Sequence, residues 1–252
     1  MDIRTVASSD EGISLAASVI AQGVRSAWAE RREAHVVLTG GRTGAALAVS
    51  VSTALDGFAD GRVHVWIGDE RYVEFDDPDR NDTTIIAALP DDEPNLQVHR
   101  HLAPHQAEIE DAAQAYAGEL EALLADAPFD AVVLSAGEDG HVASVFPGHV
   151  QHYENAYAEC ASPKPPMQRT TISLARLANA RKCLVLALGD AKADAVRGFV
   201  AGDMTLPMRQ LAAIAPFVLV TDVRVGMAVA AGAVAVEENS GVAAARDEDS
   251  RS

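Results

Sequence analysis

The sequence predicts an α/β fold built on a mainly parallel, doubly wound sheet with helices on both faces. Segments of strand length alternate with helical segments along nearly the whole chain. Several predicted strands are apolar throughout, which is typical of strands buried on both faces. The 252 residues are 48% hydrophobic, enough for a substantial core. Because no repeat or break in composition marks a boundary, we expect a single domain over residues 1–237 and a disordered acidic tail over residues 238–252.

Composition and charge narrow the class of partner. The formal net charge of -17 disfavours nucleic acids and anionic membranes as partners. No apolar run reaches the ~18 residues of a membrane helix, and the N-terminus does not resemble a signal peptide. Two cysteines, Cys160 and Cys183, fit a reducing compartment and form no CxxC motif. We therefore expect a cytoplasmic protein, a monomer or small homo-oligomer, that binds a small molecule.

The first half of the chain supplies two of the predicted strands that are apolar throughout. The first helix is expected to begin after Ser8, which has capping-box spacing to Glu11, and to run to Arg31. The further elements predicted here are strand 35–39, helix 43–55, strand 63–68, a polar turn-rich segment 69–83, helix 84–89 and strand 95–101.

The second half continues the alternation. A long amphipathic helix is predicted over residues 104–125, since Pro104 is favourable in a first helical turn. The further elements predicted here are strands 129–135, 169–174, 182–188 and 217–222, helix 190–201 and a final alanine-rich helix to about Val236.

Three unusual loops follow predicted strands, where open α/β sheets bind their ligands. The first is LTGGRTG. Unpaired N–H groups at the start of a helix bind phosphate, and Gly40 and Gly41 would let an anion approach closely. The side chains of Thr39, Arg42 and Thr43 add donors. The motif is neither GxxxxGK[ST] nor GxGxxG, and a plain turn capped by Thr43 is the alternative.

The second loop contains Asp69, Glu70 and Arg71 directly after a strand. An acid-acid-base triplet is commonly a solvated turn. At the carboxyl edge of a sheet, a carboxylate and a guanidinium could instead face the hydroxyl groups and charge of a sugar.

The third loop is AGEDGHVASVFPG. Its His141 is the side chain best suited to act as a general base near neutral pH. Gly137 and Gly140 would allow a tight loop that holds the histidine at the strand end. Packing of His141 beneath Phe146 and Pro147 is the alternative.

Two cations complete the pattern. Arg169 begins a predicted strand, and Lys192 lies in the first turn of a predicted helix. Either alone is typical of a surface charge, but together with the glycine loop they could pair the charges of a phosphoester.

A metal site is the remaining alternative for the histidines. No carboxylate or cysteine completes a ligand set around them, so we expect solvated surface residues and no metal. The histidines concerned are His99, His101, His105, His149 and His152.

Five segments in chain order resemble the 6-phosphogluconolactonases, which are related to the glucosamine-6-phosphate deaminases. They are LTGGRTG, GDERYV followed by Asn81, GEDGHVASVFPG, RTTISLARLANAR and GDAKA, and they span about residues 36–200. The segment HVASVFPG resembles the lactonase form, whereas deaminases usually follow the histidine with Asn and Glu. The resemblance implies a fold of the NagB/6-phosphogluconolactonase type.

The resemblance also implies an activity: hydrolysis of 6-phospho-D-glucono-1,5-lactone to 6-phospho-D-gluconate in the oxidative pentose phosphate pathway, without metal or organic cofactor. By position, His141 corresponds to the catalytic histidine, with Asp139 in the same loop, and Asp69 and Arg71 to residues at the substrate. Ser135 stands where the family usually has glycine. The phosphate-binding side corresponds to Gly40, Gly41, Arg42, Thr43, Arg169 and Lys192, beside Thr39.

Two other functions stay open. One is isomerisation or deamination of an amino-sugar phosphate on the same fold. The other is a non-catalytic sugar-phosphate-binding module, which is disfavoured by the acidic charge and by the lack of a helix-turn-helix pattern before residue 35.

Overall fold

A seven-stranded parallel sheet forms the centre of the molecule. The computed structural model describes residues 2–55, 60–90, 93–150 and 152–224, and only the backbone of Arg42. In spatial order the strands are β1 (Asp2–Thr5), β10 (Val218–Thr221), β9 (Cys183–Ala187), β6 (Ala131–Ser135), β2 (Glu33–Leu38), β3 (Arg62–Ile67) and β5 (Leu96–His99). Every neighbouring pair is parallel, which confirms the predicted fold class.

A second, three-stranded antiparallel sheet lies beyond the carboxyl end of β3. Its strands, in spatial order, are β4 (Asp69–Arg71), β8 (Arg169–Ile172) and β7 (Ala156–Glu159). The predicted strand over 169–174 therefore belongs to this sheet and ends at Ile172, where Ser173 caps the next helix by accepting the N–H of Arg176. The small sheet was not expected, because β4 reads as a polar turn.

Helices cover both faces of the large sheet. They are α1 (Ser9–Arg31), α2 (Gly41–Ala54), α3 (Asn81–Ile86), α4 (Ile109–Leu124), α5 (Leu174–Ala178), α6 (Ala193–Ala201) and α7 (Pro207–Ile214). Alternate residues of one strand pack on opposite faces: Val36 and Leu38 join the core beneath α1 and α2, whereas Val37 joins the core beneath α4. Burial on both faces explains why the strands are apolar throughout.

The helix starts show both a confirmed prediction and a wrong one. Ser8 Oγ accepts the N–H of Glu11 at 3.2 Å, as the capping-box spacing predicts. Helix α4, however, begins at Ile109 rather than Pro104, because residues 103–107 form a separate turn in which the N–H of Gln106 bonds to the carbonyl of Ala103.

Four further elements were not predicted: β1, β7, α5 and α7. The first two are short and carry polar residues, and the two helices are short as well. The predicted helix to about Val236 and the predicted tail 238–252 lie outside the described residues. Among the described residues, no helix is both long and apolar enough to cross a membrane.

Candidate active site

A cavity of about 380 Å³ opens at the carboxyl ends of β2, β3 and β6. All three predicted loops reach it, because the carboxyl ends of parallel strands share one edge of the sheet. The predicted residues on its wall are Thr39, Gly40, Gly41, Asp69, Arg71, His141, Arg169 and Lys192. Asp139 lies behind His141, and Thr43 is half-buried and off the wall. The Arg42 side chain lies outside what the structure describes.

The glycine loop forms the start of α2. Gly40 is the N-cap residue and no side chain caps the helix, so the alternative in which Thr43 acts as a cap is wrong. The first-turn N–H groups, which a helix leaves unpaired, are therefore open to an anion at this end of the cavity. Glycine is required at position 40, since a Cβ there would lie 1.9 Å from Oδ1 of Asn81.

Two arginines face each other across the small sheet. Arg71 on β4 is the register partner of Arg169 on β8. Arg169 is only 7% exposed and donates to backbone carbonyls, among them those of Pro166 and Lys164 at 3.2 Å each. Arg71 donates to the carbonyl of Asp79, and its buried Nε has no partner in the described part of the chain. Burial, together with the Arg71 charge, lowers the pKa of Arg169 against the opposing effect of Asp69. The pair is suited to hold an anion.

Two lysines extend the positive charge of the cavity. Lys192 was predicted in the first turn of a helix. It lies instead in a single 3-10 turn, Asp190–Lys192, that precedes α6. Burial lowers its pKa, and the charge of Lys164 acts in the same direction. Lys164 pairs with exposed Glu138 at 3.8 Å. The far side of the cavity therefore also favours an anionic ligand.

His141 and Asp139 form a hydrogen-bonded pair at the end of β6. Nδ1 of His141 lies 2.5 Å from Oδ1 of Asp139. This hydrogen bond is the main reason why the pKa of Asp139 is lowered to about 2. An ionised Asp139 accepts a hydrogen bond from the N–H at Nδ1, so the proton stays on Nδ1 and the lone pair is on Nε2. Gly137 permits the arrangement, because a Cβ there would lie 2.0 Å from Nδ1. His141 is only partly buried and also contacts Phe146, with ring centroids 4.9 Å apart.

Asp69 is fixed from two sides. Its Oδ2 accepts the hydroxyl proton of Ser144 at 2.5 Å, and its carbonyl accepts Nδ2 of Asn81 at 2.8 Å. Asp69 is 8% exposed and lines the cavity. The carboxylate is therefore a held acceptor, suited to orient a hydroxyl group of a ligand.

Several lining residues were missed by the sequence analysis: Pro78, Asp79, Arg80, Thr84, Ser135, Ala136, Ala143, Phe146 and Lys164. Lys164 lies in a proline-rich turn that carries no recognised motif. The segment 69–83 was identified only as polar and turn-rich. Of its seven acids, Asp69, Glu70 and Asp82 are buried and therefore need charged or hydrogen-bonding partners. Ser135 has no positive φ, so its backbone conformation does not require glycine at this position.

A larger cavity of about 720 Å³ lies at the opposite, amino ends of β9 and β10. Its lining is mainly aliphatic or backbone, and it includes Cys183, whose pKa burial raises to about 12. A thiol of this kind is not a nucleophile near neutral pH. The smaller cavity is therefore the better candidate site.

Two histidines, one at the end of β5 and one just after it, were expected to be solvated but are buried. His99 and His101 are 1% and 0% exposed, so the prediction of solvated histidines is wrong for both. His99 stacks on Trp66 with centroids 3.7 Å apart and contacts Glu119 through Nδ1 at 2.6 Å. His101 contacts the carbonyl of Ile67 through Nε2 at 3.0 Å. Partners on α4 and β3 make their burial possible.

Glu33, His35 and His64 bring potential metal-ligand atoms together within 4.8 Å. Trp66, however, donates its indole N–H to Nδ1 of His35 at 3.1 Å. Since burial lowers the pKa of His35 to about 3, this neutral ring carries its proton on Nε2, the atom that faces Glu33 at 3.3 Å. A metal ligand needs that lone pair. The cluster therefore offers two ligands, fewer than the three protein ligands of typical catalytic zinc sites.

Comparison with known proteins finds a matching family and similar members of it. The model of the family described as glucosamine-6-phosphate isomerases/6-phosphogluconolactonase matches residues 7–218. The 6-phosphogluconolactonase of Streptomyces coelicolor is 39% identical, over 74% of this chain and 78% of the relative. That of Mycobacterium leprae is 36% identical, over 73% and 79%.

Solved structures show the same fold. A 6-phosphogluconolactonase from Shewanella baltica superposes with a TM-score of 0.72 at 24% identity, over 88% of this chain and 97% of that one. A monomeric glucosamine-6-phosphate deaminase gives 0.69 at 18% identity, over 88% and 97%. The fold is therefore shared by lactonases and deaminases, and the chemistry has to be argued from the site.

Proposed function

The chain belongs to the family of glucosamine-6-phosphate isomerases and 6-phosphogluconolactonases, and from this we propose that it hydrolyses 6-phospho-D-glucono-1,5-lactone to 6-phospho-D-gluconate. The observation that carries the proposal is the His141–Asp139 pair beside the two facing arginines. Hydrolysis of a phosphorylated lactone requires a base with a free lone pair and an anion site, and this cavity contains both.

The substrate is bound by the positively charged walls of the cavity. The phosphate group lies at the start of α2, with Arg169 and Lys192 as its charged partners. Arg42 and Thr43 belong to the same helix start and are proposed to support it from the backbone. Since phosphate binding is remote from C1, its energy serves to place the lactone carbonyl at His141. Asp69 then orients a sugar hydroxyl group.

The chemical step uses Nε2 of His141 twice. Nε2 takes a proton from a water molecule as the water oxygen bonds to C1, and charge develops on the carbonyl oxygen. The Arg71 guanidinium stabilises this oxyanion. When the bond between C1 and the ring oxygen breaks, protonated His141 gives its proton to the ring oxygen. This transfer restores the enzyme, and the new carboxyl group of the product releases its proton to solvent.

Asp139 remains ionised throughout. Because its pKa is lowered to about 2, it holds the imidazole with the proton on Nδ1 and stabilises the imidazolium formed in the step. No step in this scheme requires a metal or an organic cofactor. We further propose a cytoplasmic location, which suits a chain whose cysteines, Cys160 and Cys183, are both free.

A direct assay tests the proposal. Freshly generated lactone is mixed with the protein, and acid release is measured against the spontaneous rate in buffer and against Streptomyces coelicolor 6-phosphogluconolactonase as a positive control. We expect release far above the spontaneous rate. Glucosamine 6-phosphate forms the second arm, with ammonia as the readout. Ammonia without lactone hydrolysis would establish a deaminase instead, and binding of 6-phosphogluconate without either reaction would establish a non-catalytic binding module.

A further inference from the structure

Glu70, which the sequence presents as part of a solvated turn, is buried beside the candidate site. Its side chain is 1% exposed. Oε1 accepts the backbone N–H groups of Arg71 at 2.8 Å and Asn81 at 2.7 Å, and Oε2 accepts the N–H of Asp82 at 2.9 Å. One carboxylate therefore binds both ends of the segment 71–81.

This segment brings polar groups to the cavity wall. Arg71 begins it, and its guanidinium donates to the carbonyl of Asp79 within the same segment. Asn81 ends it and donates Nδ2 to the carbonyl of Asp69. Because the two ends are held by one side chain, the position of the Arg71 guanidinium depends on Glu70.

A second set of contacts also holds the segment. Arg80 is 1% exposed and makes a two-point contact with Asp82 at 3.0 and 2.8 Å. It also donates to the carbonyls of Val73 at 2.9 Å and His101 at 2.8 Å. Arg80 also lies 3.8 Å from Oε2 of Glu70, but its shorter contacts are to these other groups. Because these contacts do not need the charge of Glu70, a variant at Glu70 should keep its fold.

We propose that Glu70 is a positioning residue of this site, which closes the segment 71–81 and thereby aims Arg71 and Asn81 at the bound anion. The catalytic readout of this proposal rests on the proposed function, but the structural readout does not. The three N–H groups that converge on the Glu70 carboxylate form strong, charge-assisted hydrogen bonds. This geometry is lost if another group replaces the carboxylate.

The charge on Glu70 makes this positioning sensitive to pH. Burial, reinforced by the nearby carboxylate of Asp82, raises the pKa of Glu70 to about 7. As pH falls through about 7, the carboxyl group gains a proton and becomes a weaker acceptor, so its three hydrogen bonds to the segment should weaken together. Four charged or titratable side chains face Glu70 from the surrounding elements. They are Arg80 at the N-cap of α3, Asp82 in α3, Tyr116 of α4 and Arg169 of β8.

The first test compares Glu70→Gln with Glu74→Gln. The Gln side chain puts an NH₂ group where one carboxylate oxygen accepted an N–H. Glu74 is exposed, and its ion-pair partner among the described residues is His105. For Glu70→Gln we expect a cooperative thermal transition, a Kd for 6-phosphogluconate that rises roughly tenfold and a KM that rises with it. We also expect kcat to fall, because a misplaced Arg71 stabilises the oxyanion less well. Glu74→Gln should match the wild type. An unchanged Kd and KM in Glu70→Gln, with only a lower Tm, would mean a purely structural role and overturn the proposal.

The second test needs neither a variant nor an activity. In the wild-type protein, the amide signals of Arg71, Asn81 and Asp82 are followed by NMR between pH 5.5 and 8.5. We expect one shared midpoint near pH 7, whereas the N–H of Asn95, which bonds to Glu93, should not share it. Three unrelated midpoints would refute the common acceptor. Because the amide signals do not depend on turnover, failure of the lactonase function is distinguishable from failure of this inference.

Discussion

Arg71 and Arg169 are register partners on β4 and β8, and neither forms an ion pair with a carboxylate in the described part of the chain. Two neighbouring guanidinium groups repel each other, and one of them is almost fully buried. Negative charge of the ligand at either guanidinium, the phosphate at Arg169 or the oxyanion at Arg71, offsets this repulsion. The pair therefore favours the liganded state of the site.

The first prediction concerns substrate binding at this pair. Arg169→Ala should raise KM for the phosphorylated lactone roughly 10- to 100-fold, because a charge-assisted hydrogen bond is lost, and should change kcat much less. Steady-state kinetics measure both constants. The control is Arg197→Ala, an exposed arginine of α6 whose ion-pair partner in the described part of the chain is Asp194. The same KM in wild type and Arg169→Ala would show that the phosphate does not bind at Arg169.

The second prediction concerns the general base. His141→Ala should lower kcat by about 10²–10⁴-fold, since proton transfer from water and to the ring oxygen would lose its carrier. Binding of 6-phosphogluconate, measured by calorimetry, should be nearly unchanged. His105→Ala serves as the control, because His105 is exposed and remote from the cavity lining. Full turnover by His141→Ala would eliminate the proposed mechanism.

The third prediction concerns the orientation of His141. Asp139→Asn replaces an acceptor with an amide, which can present its NH₂ group to Nδ1 and favour the wrong tautomer. We expect kcat to fall at least tenfold with KM nearly constant. Since the pKa of Asp139 is lowered to about 2, protonation of this residue should not contribute to the pH dependence of kcat above about pH 4. If Asp139→Asn keeps its kcat, the pair is only structural.

The sequence predicts the sheet and the position of the site because both follow from local patterns. Apolar strand segments such as residues 63–68 define the parallel sheet, and loops after such strands must meet at one edge. The placement of His141 and of the start of α2 could therefore be inferred. Neither inference required knowledge of long-range pairing.

Features that depend on pairing between distant segments were missed. Nothing local in residues 69–71 indicates a strand whose partner is β8, so the Arg71–Arg169 contact could not be inferred. Likewise, Glu70 reads as a solvated acid because two of its three N–H donors, those of Asn81 and Asp82, are brought to it from the other end of the segment. His99 reads as a surface residue because its neighbours on β3 and α4 are supplied by tertiary packing.

The fourth prediction is that the protein loses stability as pH falls from about 6.5 towards 4. Burial is the main cause that lowers the pKa of His35 to about 3 and the pKa values of His64 and His101 to about 4, whereas in the unfolded chain each is near 6.5. Below pH 6.5 these histidines therefore bind protons in the unfolded chain but not in the folded protein, and the free energy of unfolding falls. Glu70 acts in the opposite direction, since its folded pKa of about 7 exceeds its unfolded value.

Three histidines against one carboxyl group leave a net loss. Near pH 5.5 we expect the free energy of unfolding to fall by roughly 2 kcal/mol per pH unit, because each uncompensated proton contributes about 1.4 kcal/mol per unit. Urea denaturation between pH 7.5 and 5 measures this slope. His64→Gln should reduce the slope by about one proton, whereas His105→Gln, at an exposed position, should leave it unchanged. A stability that stays constant over this range would show that the buried histidines take up protons in the folded state.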